Sequence, residues 1–332
     1  MDKTVLLKTQ LHEASKLGKL KEFKYQRLSV ILLDNFIEIQ LRYLMEGRFY
    51  FDGFGMLGKK YKQKQRRNIV NYYEELLKGC VRESIISSDE KKLLLFCHEV
   101  RNNLYHKIQE EELLVGVAIR ILHKIISEKQ PGWGNAKFVT QLKEKTFDPF
   151  NSGKGKDSAY FNGNTEEEWE YFFKKYFNFI DKREKSVQAL LSENIKFKIK
   201  QTKINIKFIS EEFAVYFPYA KNWTFNGFCF FYSFKNINRD KIEEIKEDEK
   251  DGKLRYEELF NQYRKSWKNI NKNKLEVIKS CADDMVKYPL VKSLEKYISI
   301  RSEMNMIYDA FNSASIELDK EIQFRSDAAR GK

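Results

Sequence analysis

Only 4 prolines and 15 glycines punctuate 332 residues, and most of the glycines crowd into a few short segments. A sandwich or barrel needs a turn every dozen residues, and turns draw on those two residue types. Their scarcity, with abundant Leu, Ile, Lys and Glu, favours long helices over a many-turned β architecture. Hydrophobic residues at 42% and charged residues at 33% describe a folded chain, long enough for two domains with separate cores. The formal charge of +13 favours polyanionic partners, although a Lys-rich composition also serves solubility alone.

Cys80, Cys97, Cys229 and Cys281 lie far apart without a C-x-x-C pair. That argues against a zinc site or a disulfide framework and suits a reducing compartment. The opening residues Met1 to Lys8 hold no apolar core of signal-peptide length, and no stretch approaches the ~20 apolar residues of a membrane helix. A cytoplasmic location without membrane attachment is expected.

Periodicity divides the chain. Residues 5 to about 46 read as helix, with Leu28, Leu32, Phe36, Ile39 and Tyr43 as its apolar stripe. Asp34, Glu38 and Arg42 recur every fourth position on what reads as the polar face. After a break at Gly47, Gly53, Gly55 and Gly58, a second helix is expected over Lys59 to Leu77. A third begins at Ser87, with Glu90 completing a capping box, and carries Leu93, Cys97, Val100, Leu104 and Ile108. A fourth spans Leu113 to Ile126. Residues 1–130 thus form a helical bundle of four or five members. The run Gln130-Pro131-Gly132-Trp133-Gly134 marks a domain boundary. Residues 131–332 read as a separate α+β accessory domain. In it, Thr165 and Glu168 suggest another capping box. Ile195, Phe197 and Ile199, then Ile204, Ile206 and Phe208, alternate with polar residues. With Glu211 to Phe217 and Trp223 to Phe234 they predict a small antiparallel sheet, before long helices resume at Asp240.

One motif carries chemistry. Within the third helix, Arg101-Asn102-Asn103-Leu104-Tyr105-His106 places Asn102 and His106 four apart on one face, away from the Leu93–Val100–Leu104 stripe. Arg101 lies on the flank, its long side chain able to swing toward His106. Imidazole titrates near neutrality and can move protons. Guanidinium offers a fixed fork of donors to phosphate oxygens. Asn102 suits orienting the imidazole or donating to phosphate. An ordinary surface histidine is the other reading of His106.

This segment resembles the HEPN superfamily, helical-bundle proteins whose ribonuclease members carry Arg, four to six residues, then His, with Asn common after the Arg. The resemblance covers roughly the first 130 residues. It implies a metal-independent endoribonuclease that leaves a 2′,3′-cyclic phosphate and a 5′-hydroxyl, with Arg101, His106 and Asn102 as catalytic residues and no cofactor. It further implies a homodimer joining two motifs in one cleft, and a microbial toxin or anti-phage effector whose partners are RNA and an inhibitor or antitoxin protein. Some toxin members carry Tyr two residues after the His; Ile108 stands here instead. A non-catalytic HEPN-like module that binds RNA or protein is the alternative.

Supporting roles are less determined. Asp34 or Glu38 could position Arg101, although acidic residues four apart are commonly a solvated face. Tyr105 could stack on a base or pack in an interface. Lys59, Lys60, Lys62, Lys64, Arg66 and Arg67, without an acidic neighbour, form a candidate RNA-backbone track or a solvated basic face. The lysines alternating with Ile195–Phe208 invite the same two readings. His98 and His106 lie ~12 Å apart along a helix, too far to share a metal ion. No P-loop spacing and no G-x-S-x-G elbow is present.

Overall fold

The computed structural model describes residues 3–20, 22–53, 60–106, 112–129, 148–150, 166–177, 185–216, 225–246, 252–267 and 271–331. Thirteen helices and no strand occur among them. They group into two compact units, Met1–Leu190 and Leu191–Lys332. The breaker run at 130–134, Thr165 and Ile108 lie outside the described residues.

The first unit contains α1 (Lys3–Lys19), α2 (Phe23–Gly53), α3 (Gln63–Asn71), α4 (Tyr73–Arg82), α5 (Ser88–His106), α6 (Glu112–Lys129) and α7 (Glu166–Tyr176). Helix α2 is its axis and packs against α1, α4, α5 and α6. Val30, Leu33, Phe36, Ile37, Leu41 and Met45 of α2 are fully buried, and so are Leu114, Val115, Ala118 and Ile121 of α6, which packs on α2. Each large side chain removed from water contributes roughly 1.5–3 kcal/mol. With neighbours on several sides, α2 departs from a single-stripe helix. Leu28 and Ile39 of the expected stripe are 49% and 38% exposed, whereas Asp34, expected on the polar face, is fully enclosed.

Two boundaries differ from the sequence reading. The first helix is two, α1 ending at Lys19 and α2 starting at Phe23, and the second is α3 and α4, parted where Tyr72 turns extended. Helix α7 docks on α1. There the fully buried Lys8 pairs with Asp148 at 2.8 Å and lies 5.5 Å from the Trp169 ring.

His123 of α6 stacks on Phe177 at 4.7 Å, and burial pushes its pKa down to about 4. In the unfolded chain an imidazole titrates near 6.5. The folded state is therefore favoured by the neutral ring: full stability holds above about pH 6.5 and is lost progressively as pH falls toward 4. The loss expected is on the order of 3 kcal/mol. Urea melts of wild type and His123→Phe between pH 7 and 4 check this; parallel slopes would refute it.

The second unit contains most of α8 (Val187–Tyr216), then α9 (Phe225–Ile237), α10 (Arg239–Lys246), α11 (Gly252–Trp267), α12 (Lys274–Met285) and α13 (Leu290–Ala329). The expected antiparallel sheet is replaced by α8 and α9. Ile195 and Ile199 stand four apart and are buried, while the intervening Phe197 is 54% exposed. The alternation was thus a helical stripe interleaved with an exposed aromatic. Polar pairs along α8 match α13: Tyr297 donates to Asn194 at 3.0 Å and Lys198 to Asn305 at 2.6 Å. The aromatic density of Phe228–Phe234 likewise serves helix packing, with Phe230 and Phe234 meeting Phe260 and Tyr263 of α11 at 5.2–5.6 Å.

Candidate active site

Helix α5 forms as its sequence requires. The Ser87 hydroxyl accepts the Glu90 amide at 3.0 Å, and the Glu90 carboxylate accepts the Ser87 amide at 2.6 Å. Leu93, Cys97, Val100 and Leu104 are buried as expected. At the other end the Leu104 carbonyl accepts a hydrogen bond from Arg27 of α2. This carbonyl belongs to the last described turn of α5. Arg27 therefore anchors the turn that bears Tyr105 and His106. Both residues have described backbone positions in α5; their side chains lie outside the described residues.

The rest of the motif faces an open cleft of about 830 Å³ between α5, α4 and α2. Glu38, Arg42, Tyr73, His98, Arg101 and Asn102 line it. Beneath them lies Asp34, its side chain fully buried. One carboxylate oxygen, Oδ2, meets His98 Nδ1 at 2.9 Å and Arg101 Nε at 3.8 Å. The other, Oδ1, is buried without a hydrogen-bond partner among the described residues. Arg101 also donates to Asn102 Oδ1 at 3.0 Å. Glu38 accepts from Arg42 at 2.6 Å, so it holds Arg42 rather than Arg101. Tyr73 lies flat against His98, with ring centroids 3.9 Å apart. Burial, then the Asp34 charge, hold the Tyr73 phenol well above its ordinary pKa.

Glu38, Arg101 and Asn102 thus line one cleft, with Asp34 buried beneath it beside Arg101. His98, Tyr73, Arg42 and Arg27 were not anticipated. The signal for His98 was present, since it stands four residues before Asn102 on the same helical face. The buried thiols Cys80 and Cys97 are no alternative nucleophiles, because burial pushes both up, Cys80 to about 12.

The basic run is divided by the fold. Lys62, Lys64 and Arg67 are exposed on or beside α3, whose last residue, Asn71, reaches the cleft. Arg66 is committed to Asp52 at 2.7 Å, and Lys60 to Glu83 at 2.7 Å. Asp52, 3% exposed, also accepts the Lys60 and Tyr61 amides, which with Arg66 hold its carboxyl below the usual range. These two cations organise the turn into α3. Lys59 lies outside the described residues. On α8, Lys196 and Lys203 pair with Asp283 and Glu276 of α12, and Lys198 is buried.

Asp34, Glu38 and His98 offer ligand atoms all within 4.8 Å of one another, a set that could hold a divalent cation. Arg101 and Arg42 already contact the two carboxylates and compete with a cation for them. Among the described residues no helix is long and apolar enough to cross a membrane. Compared with protein-family models, curated proteins and solved structures, the chain matches none.

Proposed function

We propose that this chain is a metal-independent endoribonuclease of HEPN type, acting as a microbial toxin or anti-phage effector. One observation carries the reading: Arg101 donates to Asn102 and lies 3.8 Å from a buried carboxylate at the wall of an open cleft, on the helix that bears His106. A guanidinium fixed in this way suits two oxygens of a phosphodiester, and its charge matches the one that develops as the 2′-oxygen attacks phosphorus. His106 transfers a proton, and Lys62, Lys64 and Arg67 draw the backbone toward the cleft through long-range attraction. A second copy of the chain would bring two motifs together.

The test incubates total RNA and tRNA with purified protein in excess EDTA. Wild type should cut, leaving cyclic-phosphate ends, while Arg101→Ala and His106→Ala should each be slower by at least ~100-fold. Equal cutting by all three would sink the reading.

The alternative is a non-catalytic module that binds RNA or protein, and the glutamates of the cleft favour its protein-binding form: Glu38, Glu74, Glu75 and Glu99 line the cleft beside Arg42 and Arg101 and repel a polyanion. Lys78 offsets Glu74 and Glu75 at 3.0 and 2.8 Å. Binding in filter or pull-down assays without RNA cleavage under any of these conditions would select the module.

A further inference from the structure

We propose that His98 is the general base of the cleft, with Asp34 as its positioning residue; this rests on the ribonuclease reading above. A buried carboxylate 2.9 Å from Nδ1 fixes the ring in one orientation. With the carboxylate ionised, Nδ1 carries the proton and donates it to Asp34, so Nε2 presents a lone pair. The Tyr73 ring stacked at 3.9 Å prevents the imidazole from turning away. Carboxylate-oriented imidazoles of this kind take protons from hydroxyl nucleophiles in unrelated hydrolases. The ring lines the same cleft as Arg101 and Asn102.

Helical spacing then gives each residue a place. His98, Asn102 and His106 follow one another at intervals of four along α5, with Arg101 between the two histidines. Their outer Cα atoms are ~12 Å apart along the helix, too far for the two histidines to share one metal ion. The 2′-hydroxyl gives its proton to His98 Nε2 as its oxygen bonds to phosphorus. The bond from phosphorus to the 5′-oxygen breaks, and that oxygen leaves with a proton from His106. Arg101 holds the non-bridging oxygens throughout. The products are a 2′,3′-cyclic phosphate and a 5′-hydroxyl, with no oxidant or cofactor consumed. The groups bearing on His98 are Asp34, Glu38 and Arg42 of α2, Tyr73, Glu74 and Glu75 of α4, and Glu99 and Arg101 of α5.

Cleavage kinetics of the full chain in EDTA, on an RNA with oxygen or sulfur at the scissile 5′-bridging position, test the assignment. His98→Ala should slow both substrates about 10²–10⁴-fold and regain rate with added imidazole. His106→Ala should regain rate on the sulfur substrate alone, since a thiolate leaves without a proton. Asp34→Asn should shift the proton of His98 from Nδ1 to Nε2, visible in long-range ¹⁵N–¹H correlation spectra without any substrate. Recovery of His98→Ala on the sulfur substrate would make it an acid and overturn the proposal. So would a loss that imidazole does not restore. Stoichiometric Mn²⁺ or Zn²⁺ binding that disappears in His98→Ala and is needed for cleavage would overturn it in favour of a metal site. Wild-type cleavage abolished by Arg101→Ala and His106→Ala but untouched by His98→Ala would sink the dyad alone. An inactive wild type would sink the ribonuclease reading and the dyad with it.

Discussion

Asp148→Ala should destabilise the first unit by about 3–5 kcal/mol, the usual cost of breaking a buried ion pair by removing one member. Lys8 is fully enclosed, and Asp148 is only 6% exposed. Removing the carboxylate leaves an ammonium beneath the Trp169 ring, where the aromatic face offsets only part of its lost hydration. For a unit of this size the melting temperature should fall by roughly 10 °C. Lys8→Met combined with Asp148→Asn should recover much of the loss, because a thioether fills the space without a charge to desolvate. Thermal and urea melts of the two single variants and the double variant measure the coupling. An Asp148→Ala melt within a degree of wild type would show that the pair does not hold α1 to the 148–150 segment.

The same physics explains how much of the site could be read beforehand. Helix α5 was legible because its signals are local: a reciprocal cap at Ser87 and Glu90, and apolar residues at helical intervals ending with Leu104. The place of Asp34 was not. Carboxylates four apart normally mark a wet face, and an enclosed one is tolerable only if partners from another element compensate it. Those partners, His98 and Arg101, come from α5, 64 residues away in the case of the His98 bond. No window around Asp34 contains that information. The α8 error has another cause. Isoleucine-rich alternation satisfies the strand pattern over six residues, and only the absence of Gly and Pro from 187 to 216 favours one continuous helix. Lys198, which the alternation offers as part of an RNA track or a solvated basic face, is instead received in the interior by Asn305 of α13. Its partner, too, is remote in sequence.

Arg101→Lys should lose nearly as much activity as Arg101→Ala, with kcat down about 10²–10³-fold and KM little changed. Lysine keeps the charge, so steering of RNA toward the cleft survives. What disappears is the geometry. In the native site Nε lies toward Asp34 and an Nη donates to Asn102, an arrangement that fixes the plane of the guanidinium. An ammonium is a point charge on a flexible stem and cannot meet a carboxylate, an amide and two phosphate oxygens in one plane. The contrast is with Lys64→Ala on the exposed side of α3, which removes a charge distant from the reacting atoms. That variant should raise KM and flatten the salt dependence while leaving kcat unchanged. Steady-state cleavage between 50 and 300 mM salt separates the two cases. If Arg101→Lys retained wild-type kcat and shifted only KM, Arg101 would be an attractor of the backbone rather than a clamp on the reacting phosphate. The stabilisation of the transition state would then have to come from the other residues of the cleft.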